Sequence, residues 1–179
     1  MSDIPPHCDS LDGPVVIAAQ EALEGEDVDL VLPYAPRDGE EEIRHAFELV
    51  MKARAQGPEA REVADRFFIE TVVRIHRAGE GAPFTGVKPA GLDVGPVIPL
   101  AEGAIETGSG DELVTFLSDA LHEEVKHRLA RVLELRARGG AGLPEAREYT
   151  SAMLGLQVWS HKLYGAMKAS PHERDHEHA

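Results

Sequence analysis

Apolar residues recur along most of this chain at the spacing of an α-helix, three or four positions apart. The clearest example lies between residues 40 and 55, where Ile43, Phe47 and Val50 fall on one stripe of a 3.6-residue period. Glycine and proline residues separate one helical stretch from the next. The predicted helices cover residues 14–23, 40–55, 58–78, 96–105, 113–136 (as one helix or a short piece and a longer one) and 144–167, with a short apolar piece at 28–32. We therefore predict an all-α fold that forms a helical bundle.

The third predicted helix becomes apolar nearly all round at residues 67–73, which predicts a central, buried position. Glu70 lies inside this run. It is either a buried carboxylate with a raised pKa or one that pairs with Arg66 or Arg74, and we favour the ion pair.

Residues 79–96 are rich in glycine and proline, so we predict an extended connection there, and we predict irregular backbone for residues 1–12. A loop of this length inside a compact domain is usually functional or disordered. One hypothesis for the loop is that it caps a small-molecule site.

The chain matches itself when it is shifted along its own length. At a shift of 82 positions, Glu42 meets Glu124 and His45 meets His127. Beyond an insertion at 140–143 the shift becomes 86, and the identical sequences 58–62 and 144–148 coincide. We infer two tandem repeats, because a repeat unit buries its apolar face on its neighbour. The predicted organisation is a single domain over 1–179, with repeats at 13–78 and 95–167, a linker at 79–94 and a disordered tail at 170–179.

Composition narrows the class of protein. The 179 residues are 42% apolar and only 5% aromatic, which suits helices filled with small aliphatic side chains. A formal net charge of −14 would repel nucleic acid and anionic membranes, so we expect neither as a partner. The sequence has no apolar run of 18 residues and no signal-peptide pattern at its start, which predicts a cytoplasmic protein. A single cysteine excludes an internal disulfide.

That cysteine lies in the segment His7-Cys8-Asp9, which precedes the first repeat and has no counterpart before the second. A thiolate, an imidazole and a carboxylate so close together suit nickel, copper, iron or zinc. The segment precedes a helix, whose dipole would favour the thiolate if the segment folds back over the helix start. The alternative is that Cys8 is a small buried apolar residue and that its two neighbours are turn residues.

His76 and Glu80 are four residues apart at the end of the most buried helix, a spacing that places both on one face. Their counterparts in the other repeat are Lys162 and Ala166, so this pair is also peculiar to the first half. The alternative is a histidine favoured at a helix end by the dipole. We predict a metal site with His7 and Cys8 as principal ligands. Asp9, Asp12, His76 and Glu80 are the candidates either to complete it as ligands or to support its ligands from outside.

Both repeats also contain Glu-x-x-His, as Glu42 with His45 and Glu124 with His127, a combination that di-iron carboxylate bundles use. These residues lie well away from the apolar stripe of their helices, at 100° per residue. A solvent-facing surface explains them better, and the di-iron site remains the less favoured interpretation.

Three segments carry a resemblance to a known family. They are residues 5–15 (PPHCDSLDGPV), 74–83 (RIHRAGEGAP) and 85–93, with TG followed by KPAGLD. Over most of residues 5–165 the chain resembles an uncharacterised bacterial family, a domain of unknown function. The resemblance implies no activity.

The His-Cys-Asp segment is also similar to the metal hook of nickel superoxide dismutase, a helical-bundle enzyme. That resemblance implies that His7 and Cys8 are metal ligands. The second cysteine of the hook falls on Asp12, and the histidine would be amino-terminal only after removal of six residues. The similarity therefore indicates metal binding more than a particular reaction.

The function predicted from the sequence is transition-metal binding at an N-terminal hook. A redox-active metal would support superoxide or peroxide chemistry, whereas zinc would make the site structural. The competing hypothesis is a non-catalytic helical scaffold or interaction protein in which Cys8 is merely buried. The expected partner is the metal ion, and self-association of the chain is left open.

Overall fold

A computed structural model of the chain describes residues 6–139 and 142–169. The predicted disordered tail and part of the predicted insertion at 140–143 lie outside the described residues. The described part is all-α, as predicted, with no strand and a single isolated bridge. Its six α-helices are α1 (Pro14–Gly25), α2 (Glu40–Arg54), α3 (Pro58–Gly79), α4 (Val97–Thr107), α5 (Asp111–Ala137) and α6 (Leu143–Lys168).

The chain divides into two compact units, Met1–Pro96 and Val97–Ala179. The boundary falls at the end of the loop that follows α3. The single-domain organisation and the duplication, with its two repeats, stay predictions.

Helices α1, α2 and α3 form the first unit, and α3 packs against both of the others. Each of α1 and α3 begins with a proline, which suits the first turn because its amides have no intrahelical partner. Phe68 of α3 is completely buried and meets Phe47 of α2 edge to face, with ring centroids 5.3 Å apart. The core of this unit is therefore continuous from α1 to α2 through α3.

Residues 28–39 connect α1 to α2 through three short 3-10 turns, Val28–Leu30, Leu32–Tyr34 and Arg37–Gly39. Two glycines let this connection approach α3 closely. A Cβ added to Gly39 would lie 2.4 Å from Cγ2 of Ile75, and one added to Gly79 would lie 3.0 Å from Cδ of Pro36. Close packing thus fixes the connection against the last turns of α3.

The N-terminal segment is held between α1 and the loop after α3. Its residues Pro6–Asp9 form a 3-10 turn rather than the irregular backbone predicted from the sequence. The amide of Lys88 donates to the carbonyl of Asp9 at 2.8 Å, and the amide of Leu11 donates to the carbonyl of Lys88 at 3.0 Å. The loop itself forms neither helix nor strand, as predicted, and this pair of hydrogen bonds fastens it to the segment that carries Cys8.

The first turn of this segment packs closely over the start of α1. A Cβ on Gly13 would lie 2.1 Å from the carbonyl oxygen of His7, which no side chain could occupy. Gly13 has an ordinary φ of −81°, so the requirement for glycine there is steric rather than conformational.

Helices α4, α5 and α6 form the second unit, in which α5 packs against both of its neighbours. Arg128 of α5 lies over the ring of Trp159, 4.6 Å from its centroid, and Arg131 pairs with Glu148 of α6. Within the described residues, Val132 and Leu135 are the buried apolar side chains of this unit.

Two predictions concern α3, namely its burial and the pairing of Glu70. Phe68, Val72 and Val73 are buried, as the predicted central position requires, but Phe67 is 53% exposed, so the prediction is wrong for that side chain. The face that includes Phe67 remains outside because α1 and α2 cover only part of the helix surface. The predicted pairing of Glu70 is confirmed, since its Oε1 lies 2.9 Å from Nε of Arg66.

Candidate metal centre

Three side chains from distant parts of the sequence meet in the first unit. The thiol of Cys8, the imidazole of His76 and the carboxylate of Glu80 each offer an atom, and these atoms lie within 4.8 Å of one another. Among the residues that the structure describes, no other group of three such side chains comes together. A transition metal with bonds of about 2.0–2.3 Å holds its ligand atoms roughly 3.3–3.8 Å apart. Small side-chain rotations would therefore bring the three atoms to bonding distance.

The ring of His76 is oriented by a backbone carbonyl. Its Nδ1 lies 2.7 Å from the carbonyl oxygen of Tyr34, in the connection that the two glycines bring against α3. Because a carbonyl oxygen can only accept, Nδ1 carries a proton, and Nε2 presents a lone pair whenever the ring is neutral. Histidines that bind metals are commonly oriented by a contact of this kind.

The Nε2 atom faces a carboxylate. Nε2 of His76 is 3.5 Å from Oε1 of Glu80, and it is buried with no hydrogen-bond partner among the described groups. Two electron-rich atoms at this distance are stable only with a proton or a cation between them. The pair is therefore suited to binding a cation.

Arg77 fixes the other side of the same carboxylate. Its Nη1 donates to Oε2 of Glu80 at 2.9 Å, which leaves Oε1 directed at His76. Its Nε lies 3.5 Å from Oδ1 of Asp9, and both of these atoms are buried without a hydrogen-bond partner in the described structure. Asp9 and Arg77 are almost completely buried. The arginine therefore joins the N-terminal turn to the end of α3.

The surroundings of Cys8 disfavour its thiolate form, contrary to the expectation from the helix dipole. Burial raises the pKa of the Cys8 thiol, and the negative charges of Glu80 and Asp9 raise it further, while Arg77 lowers it. The expected preference for thiolate is thus wrong for the protein without a metal, because burial and two carboxylates outweigh the helix start. A bound cation would supply the missing positive charge and favour the thiolate.

The pKa of Asp9 is also set by burial and by nearby charges. Burial raises the pKa of its carboxyl group, and the positive charge of Arg77 is the largest of the effects that lower it. Asp9 contacts Arg77 and lies outside the group formed by Cys8, His76 and Glu80. It supports the arginine that positions Glu80.

His7 and Asp12 also lie outside this group. The carbonyl of His7 accepts hydrogen bonds from the amide and the hydroxyl of Ser10, at 3.3 and 2.9 Å. The exposed carboxylate of Asp12 accepts the amide of Gly91 at 2.7 Å, and hydrogen bonds from Ser10 and Gly91 hold the pKa of Asp12 below its usual value. Asp12 therefore helps to fasten the loop. That either residue binds a metal stays a prediction.

The family of the chain is given by comparison with known proteins. The model of DUF6448, a family of unknown function, matches residues 12–159. The chain belongs to DUF6448. This confirms the resemblance to an uncharacterised family, and its bacterial origin stays a prediction. In this DUF6448 member the matched range contains His76 and Glu80 and begins after Cys8. No curated protein and no solved structure matches the chain.

The polar pairs that suggested a di-iron site face solvent in this DUF6448 chain. Glu42 pairs with Arg74 at 2.5 Å, and Glu124 pairs with Arg128 at 2.6 Å. His45 and His127 are exposed, which agrees with the preferred interpretation of a solvent-facing surface. None of the helices in the described residues is long and apolar enough to cross a membrane.

Two contributors to the site were not identified from the sequence. Arg77 had a weak signal, because it follows His76 directly in a helix whose neighbouring residues are apolar. Nothing in the sequence indicated the carbonyl of Tyr34, since every residue has a backbone carbonyl whatever its side chain. Its position depends on the packing of the connection before α2 against α3.

The loop after α3 also lines a cavity of about 500 Å³, away from the three-residue group. Leu11, Ile69, Val87 and Pro89 supply apolar surface, and the Arg66–Glu70 pair contributes charge. Its volume lies in the range of small-molecule pockets. The hypothesis of a small-molecule site beside this loop stays a prediction.

Proposed function

We propose that this protein binds one transition-metal ion through Cys8, His76 and Glu80. The observation that carries the proposal is the Nε2 atom of His76, which has no hydrogen-bond partner among the described groups. It is buried, lies 3.5 Å from a carboxylate oxygen and is held in that direction by the Tyr34 carbonyl. A proton between His76 Nε2 and the carboxylate of Glu80 would be enough to stabilise those two atoms. The thiol of Cys8 lies close to both of them, and a third donor of this kind serves a metal ion but not a proton.

The donor set favours nickel, copper, iron or zinc. A thiolate and an imidazole are ligands of these ions, whereas magnesium and calcium prefer oxygen donors throughout. Two carboxylates and one thiolate near one arginine would leave the site with surplus negative charge. A divalent cation would offset that surplus.

Three protein ligands leave a coordination position for water or a small molecule, as in catalytic rather than structural zinc sites. With nickel, copper or iron, this position suits a small oxidant such as superoxide or peroxide. Redox activity of this kind is part of the proposal, and it depends on which ion the protein carries.

The competing function is a helical scaffold without a metal. One observation favours it: the half-buried Cys8 packs against the apolar core of the first unit. In a scaffold, Cys8→Ala would retain the fold, and the protein would have no metal to lose.

Elemental analysis of the untagged full-length protein, purified without chelator, tests the proposal. We expect close to one equivalent of one metal in the wild type and a loss of most of it in Cys8→Ser, His76→Gln and Glu80→Gln. The matched control is His45→Gln, which removes an exposed histidine from α2 and should leave the metal content unchanged.

A second control lacks residues 170–179, because their three histidines could collect metal ions independently of the site. Helix content measured by circular dichroism should be the same in all variants. Equal metal content in the wild type and Cys8→Ser, or no metal in any variant after reconstitution with each of the four ions, would overturn the proposal.

A further inference from the structure

Helix α5 carries a row of large apolar residues that the chain leaves in solvent. Members of this row, here called the α5 ridge, follow one another four positions apart and are 38–50% exposed: Leu117, Leu121, Val125, Leu129 and Leu133. A soluble protein rarely exposes a continuous row of this kind unless another surface covers it.

The second unit has little other apolar burial to stabilise it. Among its described residues, Val132 and Leu135 are the buried apolar side chains. The contact between α5 and α6 includes charged groups, since Arg128 lies over Trp159 and Arg131 pairs with Glu148. A row of residues four apart turns slowly around its helix, so a crossing partner would cover the central members Leu121, Val125 and Leu129 and supply apolar burial that this unit lacks.

The ridge is symmetric about its own centre. Val125 lies one residue past the middle of α5, which spans Asp111–Ala137, and Leu121 and Leu129 flank it at equal distances. When two copies of such a helix cross antiparallel, Val125 meets Val125 and Leu121 meets Leu129. Rows of residues four apart are the ridges that interlock when two helices pack at the commonest crossing angle. The ridge is therefore complementary to itself.

Charge along α5 favours the same antiparallel arrangement. All acidic residues of the helix except Glu134 precede Val125, and all of its lysine and arginine residues follow it. A two-fold axis through Val125 places the acidic half of one helix near the basic half of the other. Parallel helices would bring like charges together, which costs free energy.

We propose that this protein forms a homodimer in which the α5 ridges of two copies pack antiparallel about a two-fold axis through Val125. The occupant of the exposed row is a second copy of the same chain, because both its apolar spacing and its charge are self-complementary. Such a two-fold contact closes on itself and does not lead to fibres. The proposal does not depend on the metal site.

The mass of the full-length protein in solution tests whether the dimer exists. Size-exclusion chromatography with light scattering should give twice the 19.4 kDa chain mass for the wild type. Val125→Glu should give the mass of one chain, because two carboxylates would meet in the apolar contact. The matched control is Ile105→Glu, which places the same charge on α4 at a side chain that is 83% exposed and outside the ridge, and it should remain dimeric.

Disulfide cross-linking tests the orientation without disturbing the contact. In a Cys8→Ser background, Val125→Cys should form a covalent dimer under mild oxidation by diamide. Leu121→Cys alone should not, since the axis separates the two copies of residue 121 by roughly 12 Å along the helix, beyond disulfide reach. A mixture of Leu121→Cys and Leu129→Cys proteins should cross-link to each other.

A wild type with the mass of one chain at 100 μM would overturn the proposal. So would a dimer that survives Val125→Glu with unchanged helix content. Efficient cross-linking of Leu121→Cys to itself would contradict the antiparallel arrangement, because parallel ridges bring identical residues together.

Discussion

The two units of this chain each contain three α-helices within the described residues, yet they use their apolar residues differently. In the first unit, Phe68 and the residues around it form a continuous buried core. In the second, the large apolar residues of α5 are mostly exposed, and the contact with α6 includes an arginine over a tryptophan. Under the two proposals made above, the first unit holds side chains in fixed positions and the second provides a surface for another copy of the chain.

The group of Cys8, His76 and Glu80 lies in the unit with the core. A binding site needs ligands that stay in place, and packing of the surrounding structure provides that. Here the N-terminal turn, the end of α3 and the connection that contains Tyr34 are each packed or hydrogen-bonded to the core unit. The corresponding positions predicted for the second half, Lys162 and Ala166, offer no comparable set of ligands.

The largest effect should come from the centre of the first core. Phe68→Ala removes a fully buried ring and should lower the free energy of unfolding by about 3–5 kcal/mol. The adjacent Phe67→Ala is the matched control, because that side chain is 53% exposed, and it should cost less than about 1 kcal/mol. Urea denaturation followed by circular dichroism measures both. Equal losses would contradict the burial described for α3.

A smaller loss should follow from removal of the buried arginine. Arg77→Met leaves Asp9 buried without its partner and should destabilise the protein by about 3 kcal/mol. Arg66→Met removes an arginine that is 81% exposed and paired within the same helix, so its cost should stay below about 1 kcal/mol. If the two variants had the same stability, Arg77 would not join the N-terminal turn to α3.

The close approach at Gly13 gives a more local effect. Gly13→Ala would place a Cβ against the His7 carbonyl, and relief of that overlap should cost about 1–3 kcal/mol and displace the turn that carries Cys8. We therefore expect weaker metal binding in a competition titration. The control is Gly103→Ala in α4, where a Cβ meets no neighbouring atom and helix propensity should add about 1 kcal/mol of stability. Unchanged metal affinity in Gly13→Ala would show that the turn does not need this packing.

The smallest effect concerns the reactivity of the thiol in metal-free protein. Because burial and the charge of Glu80 raise the pKa of Cys8, less thiolate is present at neutral pH and iodoacetamide should react more slowly than with a free cysteine. Glu80→Gln removes one negative charge, so it should lower the pKa of Cys8 and speed the reaction. Glu70→Gln is the control, since Glu70 is paired with Arg66 elsewhere on α3. A slower reaction in Glu80→Gln would contradict the conclusion that Glu80 raises the pKa of Cys8.

Much of the fold could be predicted from the sequence. The bounds of α2 and α3 differ from the predicted ones by a residue or so, because a clear apolar stripe and the prolines and glycines at the ends define them. The short 3-10 turn at Pro6–Asp9 was missed, since its hydrogen bonds with the loop after α3 join residues nearly 80 positions apart. The exposure of Phe67 was missed because composition alone does not tell which faces of a helix have neighbours.

The group of Cys8, His76 and Glu80 was predicted in part, and its binding of a metal stays a proposal. His76 and Glu80 followed from their spacing on one face of a helix, and Cys8 followed from its position beside two other potential ligands. Asp9 was predicted either as a ligand or as a residue that supports the ligands, and its contact with Arg77 agrees with the second of these roles. Spacing along the chain identifies which side chains are available, and tertiary packing decides which of them meet.

X-ray absorption spectroscopy of the metal-loaded protein tests the central claim most directly, because it counts the atoms bound to the metal. We expect one sulfur at about 2.3 Å together with nitrogen and oxygen at about 2.0–2.2 Å. The sulfur should disappear in Cys8→Ser, and the imidazole scattering should weaken in His76→Gln. A wild-type spectrum without sulfur, or one that is identical in both variants, would contradict a metal site built from Cys8, His76 and Glu80.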